Sequence, residues 1–346
     1  MTVHAFSDGI RRVNRAPVIL ASVFLVTLVT ALPMAAVLRE TLRAHLGHSL
    51  AADQAVRGVN YQWWTEFSAQ SSGFARTFTV SVIGFAAVLD NLSEALHPES
   101  RPAALLWLGA GYLLLWLFLE GGIIDRYARN RPTRSYGFFT ACGACFVRFL
   151  RLAPIIAVIY YLLLRYVYGW LFDDLYPRLT RDLTVERTAF MLQLGLLAVF
   201  GLLLAAVTVV FDYAKVRAIV EDRRSMIGAV AAGVRFVRRN IGAVAGLYFL
   251  NGLLFVAVLA LYFVVAPGAG SAGALMWLGF AVSQAYLLAR LWVRLVFFAS
   301  EVSLFQARLA HTGYVASPAV RLMEPPIVEQ LTSTSGPFSP SPQSRQ

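Results

Sequence analysis

TAFMLQLGLLAVFGLLLAAVTVVFDYAKVRAIVEDRRSMIGAVAAGVRFVRRN, residues 188–240, joins the two features that decide the fold. Its first part, 188–211, carries no charged residue and no apolar–polar alternation. About 20 such residues in a helix cross the hydrocarbon core of a bilayer. A barrel strand would alternate and would need only about 10 residues. Its second part is basic: Lys215, Arg217, Arg223, Arg224, Arg235, Arg238 and Arg239 stand against Asp212, Glu221 and Asp222. A basic stretch after an apolar run marks the cytoplasmic end of a membrane helix.

The same pattern runs through all 346 residues, of which 58% are apolar and 14% charged. Soluble domains average roughly 45–50% and 25%. That balance excludes a set of soluble domains and a disordered chain, and two cysteines cannot build a disulfide scaffold. Six segments are predicted to span: 16–38, 103–124, 152–172, 188–211, 241–265 and 272–293. The predicted fold class is all-α and polytopic.

Charge sets the direction. Arg11, Arg12 and Arg15 precede the first span, against Asp8. The first connection carries five Arg against six acids, and the third has three Arg against four acids. The second carries Arg126, Arg129, Arg131, Arg134, Arg148 and Arg151 against Asp125, and the fifth, around 267–271, has no charge. Basic loops face the cytoplasm, so both termini are expected there. The first span also has the layout of a secretory signal, but no small-x-small site precedes Val37, and cleavage would not reorient the other five.

The net charge is +11, from 29 Arg and a single Lys, Lys215. In a soluble protein that would indicate nucleic acid; here it is expected to meet anionic headgroups. The arginine bias is a compositional hint of a GC-rich bacterial genome, which makes the inner membrane the expected location.

Three junctions look alike: Arg15-Ala16-Pro17, Arg151-Leu152-Ala153-Pro154 and Arg239-Asn240-Ile241-Gly242. Each follows a basic, partly apolar stretch (4–15, 135–151 and 224–239) suited to a helix lying in the interface. The even-numbered spans end on an acid followed by a base: Asp125-Arg126, Asp212 with Lys215, and Glu301 with Arg308. The pattern predicts three hairpins, each preceded by an interfacial helix, although any protein with basic inner loops repeats such junctions to some degree.

Residues 211–240 resemble a junction in bacterial six-helix membrane proteins. Their architecture is similar to the membrane domain attached to some glycerophosphodiester phosphodiesterases. The resemblance covers about the last two-thirds of the chain and rests on pattern. It implies a membrane protein of unassigned function; no phosphodiesterase domain is present, so that activity does not carry over.

The first outer connection, 39–102, is long. Its apolar run 77–89 is too short to cross and reads as re-entrant or interfacial. The cluster Tyr61-Gln62-Trp63-Trp64 suits the headgroup level, as an outer cap with a binding surface or a loop resting on the bilayer. The tail 311–346 is rich in Ser, Pro and Thr and is expected to be disordered and cytoplasmic.

Candidate chemistry is sparse. Cys142-Gly143-Ala144-Cys145 lacks a βαβ setting for redox work and further cysteines for zinc, so packing is expected. His45-x-x-His48 and His97 read as solvated loop residues. Nucleotide loops and the H-E-x-x-H, Gly-x-Ser-x-Gly and Gly-x-Gly-x-x-Gly motifs are absent, so neither cofactor nor metal is expected. Gly242-x-x-x-Gly246 would let another helix approach.

Ionisable residues near the membrane are the leads. Glu120, Arg290, Arg294 and Glu301 form either structural ion pairs, Glu120 with Arg290, or a polar path for an anionic or protonated substrate. All lie toward the cytoplasmic end, which favours the structural reading. Arg165, near the outer end of the third span, reads as snorkelling. Asp212, Lys215, Arg217, Glu221 and Asp222 decorate a helix leaving the fourth span. They are expected to pair locally and to offer either a protein-partner surface or a solvated extension. The expected function is a non-catalytic scaffold or accessory to transport or envelope processes; the alternative is a carrier or channel for a lipid or small amphiphile.

Overall fold

A computed structural model of the chain describes residues 1–47, 60–71, 75, 103–183, 185–222, 225–266 and 274–310. Met1–Tyr314 form one compact unit; Val315–Gln346 are assigned to a second, which lies outside the described residues with the whole expected tail. His48, His97 and the run 77–89 lie outside them too. All elements among the described residues are helical. They are α1 (Thr2–Asn14), α2 (Pro17–Leu46), α3 (Tyr61–Gln70), α4 (Ala103–Arg129), α5 (Ser135–Leu162), α6 (Tyr176–Thr180), α7 (Glu186–Val220), α8 (Met226–Arg239), α9 (Ile241–Val265) and α10 (Ala274–Ala310). Two π-helical stretches, Leu163–Tyr168 and Trp170–Leu175, carry α5 into α6.

Among the described residues five helical stretches are long and apolar enough to cross a membrane: Pro17–Leu46, Trp107–Arg129, Ser135–Thr180, Glu186–Val220 and Ile241–Val265. This is the make-up of a multi-pass membrane protein. The sixth expected span falls in α10, which is not among the five. From Val293 on, α10 is the most enclosed part of the described molecule, with Leu295, Val296, Ala299, Val302 and Leu304 fully buried.

The core lies at one end, which we call the basic end for its arginines. Ile123, Ile124 and Tyr127 of α4, Tyr213 and Val216 of α7, and α10 from Leu295 to Phe305 pack there with Ala5 and Val13 of α1. The opposite halves of the long helices bury little: Trp107 is 80% exposed, Leu202 71% and Val264 79%. Apolar surface of this extent is unstable in water and stable in lipid.

α1 and α8 place apolar residues on one face, Ala5, Gly9 and Val13 in one and Met226, Ala229, Ala232 and Gly233 in the other. α1 lies against α10, the first half of α5 against α4, and α8 against α7. Each approach is set by a small residue. A Cβ added at Gly9 would stand 2.8 Å from Ser300, at Gly121 2.5 Å from the Cβ of Cys145, and at Gly233 3.0 Å from the Val210 carbonyl oxygen. Gly9, Cys145 and Gly233 each stand six residues before the junction arginine, Arg15, Arg151 and Arg239. The close contacts therefore lie away from the expected Gly242-x-x-x-Gly246: Gly242 faces open space, and Gly246 meets only Thr2.

The three junctions are not equivalent. Ala16 (φ −130°, ψ 56°) breaks the chain between α1 and α2, and Asn240 (φ −126°, ψ 27°) does so between α8 and α9. Pro17 starts α2, where its missing N–H costs nothing. The Asn240 side chain donates to the Phe236 carbonyl, 3.0 Å away. At the middle junction the expected separate interfacial helix is absent: α5 runs unbroken through Pro154. Its buried face, Cys142, Cys145, Phe149 and Leu152, continues across the junction, so packing holds the helix together despite one lost hydrogen bond.

α2 extends eight residues past its expected end, and α3 packs on that extension. The Asn60 side chain caps α3 by accepting from the Gln62 and Trp63 amides, both at 3.1 Å. Trp63 and Phe67 stack and are buried against Leu42 and Leu46, whereas Tyr61 is exposed. The aromatic cluster is thus split between a small core and a free ring.

Candidate functional site

Burying an ionised side chain costs several kcal/mol unless a partner offsets it, so buried charges locate the site. Glu120 of α4 and Glu301 of α10 are 2% and 1% exposed. Asp212 of α7 faces the same centre; of the acids in the even-span pattern, Asp212 and Glu301 meet here, whereas Asp125 pairs with Arg129. Lys215 Nζ donates to Glu120 Oε1 at 2.8 Å and lies 3.8 Å from Asp212 Oδ1. The Tyr248 hydroxyl, from α9, lies 2.5 Å from Glu301 Oε1 and 3.0 Å from Asp212 Oδ2. Below it, Asn251 Nδ2 donates to the Leu247 carbonyl and to Ser300 Oγ, at 3.1 and 3.0 Å.

Lys215 is the chain's single lysine, and its ammonium lies between Glu120 and Asp212. An ammonium is a compact charge on a flexible stem; a guanidinium is a broad planar fork that fits poorly between three side chains. The carboxyl of Glu120 is taken by Lys215, not by Arg290 as expected. Arg290 stands one turn before Arg294 on α10, toward the less buried half.

Arg294 places its Cζ 3.7 Å above the Trp116 ring, a cation–π contact. Beside it opens a cavity of about 540 Å³. Phe24, Thr27 and Leu28 of α2, Tyr112 of α4, Phe255 of α9, and Gln284, Leu287, Arg290 and Arg294 of α10 line it. Arg290 makes no hydrogen bond or ion pair among the described residues. The space therefore has an apolar wall and a cationic wall, with the carboxylate cluster behind Arg294.

The expected partner-surface residues divide. Asp212 and Lys215 point inward. Arg217 donates to Glu221 Oε2 at 2.9 Å and to the Ala232 carbonyl at 3.1 Å, tying α7 to α8. Asp222 is exposed, with φ +47°, and accepts from Arg148 Nη1 at 2.6 Å. The local pairs Asp212–Lys215 and Arg217–Glu221 are present, the first at 3.8 Å. Arg165 is exposed on the π-helical stretch.

Reading the sequence missed Tyr248, Asn251 and Trp116. The available signal was an Asn and a Tyr three residues apart in an otherwise apolar span, costly unless they have partners. A second network also went unseen. Arg12 donates to Asp8 at 2.8 Å, to the Tyr127 carbonyl at 2.8 Å and to Gln306 at 2.9 Å. Ser303 donates to Asp8, and Gln306 to the Ala128 carbonyl, each at 2.8 Å. This network pins α1 across α4 and α10.

Cys142 and Cys145 are free, buried and packed on Gly122 and Gly121. His45 accepts from Trp63 Nε1 at 3.1 Å and meets Gln70 at 3.2 Å, so it belongs to the α2–α3 contact. Among the described residues no group of three or more His, Cys, Asp or Glu is placed to hold a metal ion. Comparison with family models, curated proteins and solved structures finds no match for this chain.

Proposed function

We propose that the chain is a six-helix protein of a bacterial inner membrane, with cytoplasmic termini, that binds an anionic amphiphile and carries it without chemical change. The observation that carries this reading is Arg290. It opens with Arg294 onto a largely apolar cavity and has no anionic partner among the described residues. An unpaired guanidinium beside apolar side chains is stabilised by an anion, and a headgroup with an alkyl tail would satisfy both walls. In this reading α10 is the sixth span, and α1, the start of α5 and α8 lie at the cytoplasmic surface, their exposed arginines against anionic lipid. The resemblance of residues 211–240 to six-helix membrane domains bears on this layout alone.

The test is native mass spectrometry of the protein purified in mild detergent, followed by uptake into liposomes. A retained anionic lipid that is lost with Arg290→Ala supports binding, and flux abolished by the same change supports carriage. A ligand-free protein that retains a protein partner returns the scaffold reading.

A further inference from the structure

Tyr248 poses a problem of hydrogen counting. Its hydroxyl oxygen lies 2.5 Å from Glu301 Oε1 and 3.0 Å from Asp212 Oδ2. A phenol carries one hydrogen and donates once, and an ionised carboxylate only accepts. With both acids ionised, one of these contacts is oxygen facing oxygen with nothing between. Lys215 does not relieve it, because its short bond goes to Glu120 at 2.8 Å and Asp212 stays 3.8 Å away.

Two further observations show the same deficit. Glu301 Oε2 is buried with no hydrogen-bond partner, and so is the Tyr213 hydroxyl beside the cluster. The formal charges also fail to balance: among the described residues Glu120, Asp212 and Glu301 are met by Lys215 and Arg294. None of the other described elements supplies the missing charge. α8 brings Phe236 against Tyr213, and the Asp8 and Arg12 of α1 engage α10 at Ser303 and Gln306.

We propose that Asp212, Tyr248 and Glu301 form a proton-binding site that holds one exchangeable proton between two carboxyl groups, with the tyrosine as relay. In one arrangement the Asp212 O–H donates to the Tyr248 oxygen, whose own O–H donates to Glu301. In the other, Glu301 donates to Tyr248, which donates to Asp212. Passing from the first to the second breaks the Asp212 and Tyr248 O–H bonds and forms one on Tyr248 and one on Glu301. One proton's charge moves from α7 to α10, and no co-reactant is needed. Buried acids this close share a proton because both cannot ionise together. The site does not depend on what fills the cavity.

Infrared spectroscopy of the full-length protein in liposomes, with no ligand added, tests this. At neutral pH the wild type should show one buried carboxylic-acid carbonyl band that shifts in deuterated water. Glu301→Gln and Asp212→Asn should each abolish it, since a side-chain amide supplies the missing hydrogen. A wild type without such a band overturns the proposal, and that measurement needs no variant to fold. So does a band that does not shift in deuterated water, or one that survives either substitution. Arg290→Ala should leave the band in place, so failure of the carrier reading and failure of this site are read separately.

Discussion

The two ends of this molecule obey different rules. At the basic end the helices pack as in a soluble protein: Ile123, Tyr127, Tyr213, Leu295 and Phe305 are enclosed, and Lys215 and Tyr248 reach carboxylates on other helices. Toward the other end the same helices separate, and Leu202, Val256 and Val264 face outward. Apolar burial drives packing only where water is the alternative. Next to lipid, leucine gains little by touching leucine, so close approach needs small residues or polar contacts. The small-residue crossings, Gly9 on Ser300, Gly121 on Cys145 and Gly233 on Val210, lie at the enclosed end, as do Glu120, Asp212 and Glu301.

The largest effect should follow from breaking the buried pair. Lys215→Met leaves Glu120 enclosed without its cation, and such a loss costs about 3–5 kcal/mol. A thermal shift assay in detergent should show a marked fall in Tm. Adding Glu120→Gln should recover most of it, because removing both charges is close to neutral. Recovery separates an electrostatic core from one in which Lys215 acts only by filling space.

Gly9→Leu should come next. Its new side chain would start 2.8 Å from Ser300, and overpacking costs roughly 1–3 kcal/mol. Gly242→Leu is the matched control: nothing lies within 4 Å of it, so Tm should hold or rise slightly. Equal losses at both positions would erase the distinction between the glycines that set a helix crossing and those that face open space.

Arg290→Ala should act on binding more than on stability. A charge-assisted hydrogen bond is worth about 1.5–3 kcal/mol, so affinity for an anionic amphiphile should fall roughly ten- to a hundredfold. Titration with a lipid of stated headgroup measures it. An unchanged affinity would remove the cavity from the function.

What could be read in the sequence follows the same division. Five of the six expected spans were legible because a bilayer demands a length and a composition, and 188–211 supplies both. The pairs within one helix were legible too, because Arg217 and Glu221 are neighbours by helical geometry alone. The site was half legible: Glu120 and Glu301 stood out as charges in apolar surroundings, but their partners come from other helices. Sequence spacing does not say that Lys215 reaches α4 or that Tyr248 bridges α7 and α10. The middle junction misled for a related reason. Arg151-Leu152-Ala153-Pro154 carries a local break signal, and the buried face overrides it, with Cys142 and Cys145 packed on α4 and Leu152 on α7 and α8.

The smallest effect tests the other end. Leu202 is 71% exposed, and in a membrane its neighbours are acyl chains. Leu202→Ala removes contacts that lipid replaces, so it should change Tm by less than the equivalent of about 0.5 kcal/mol. Leu295→Ala, in a fully enclosed position, should cost about 2–5 kcal/mol. The ratio of the two losses, measured in one detergent, reports how far water is excluded at each position by protein and how far by lipid. A large loss at Leu202 would mean that this face is covered by protein, and a second copy of the chain would be the first candidate to look for by cross-linking at that position.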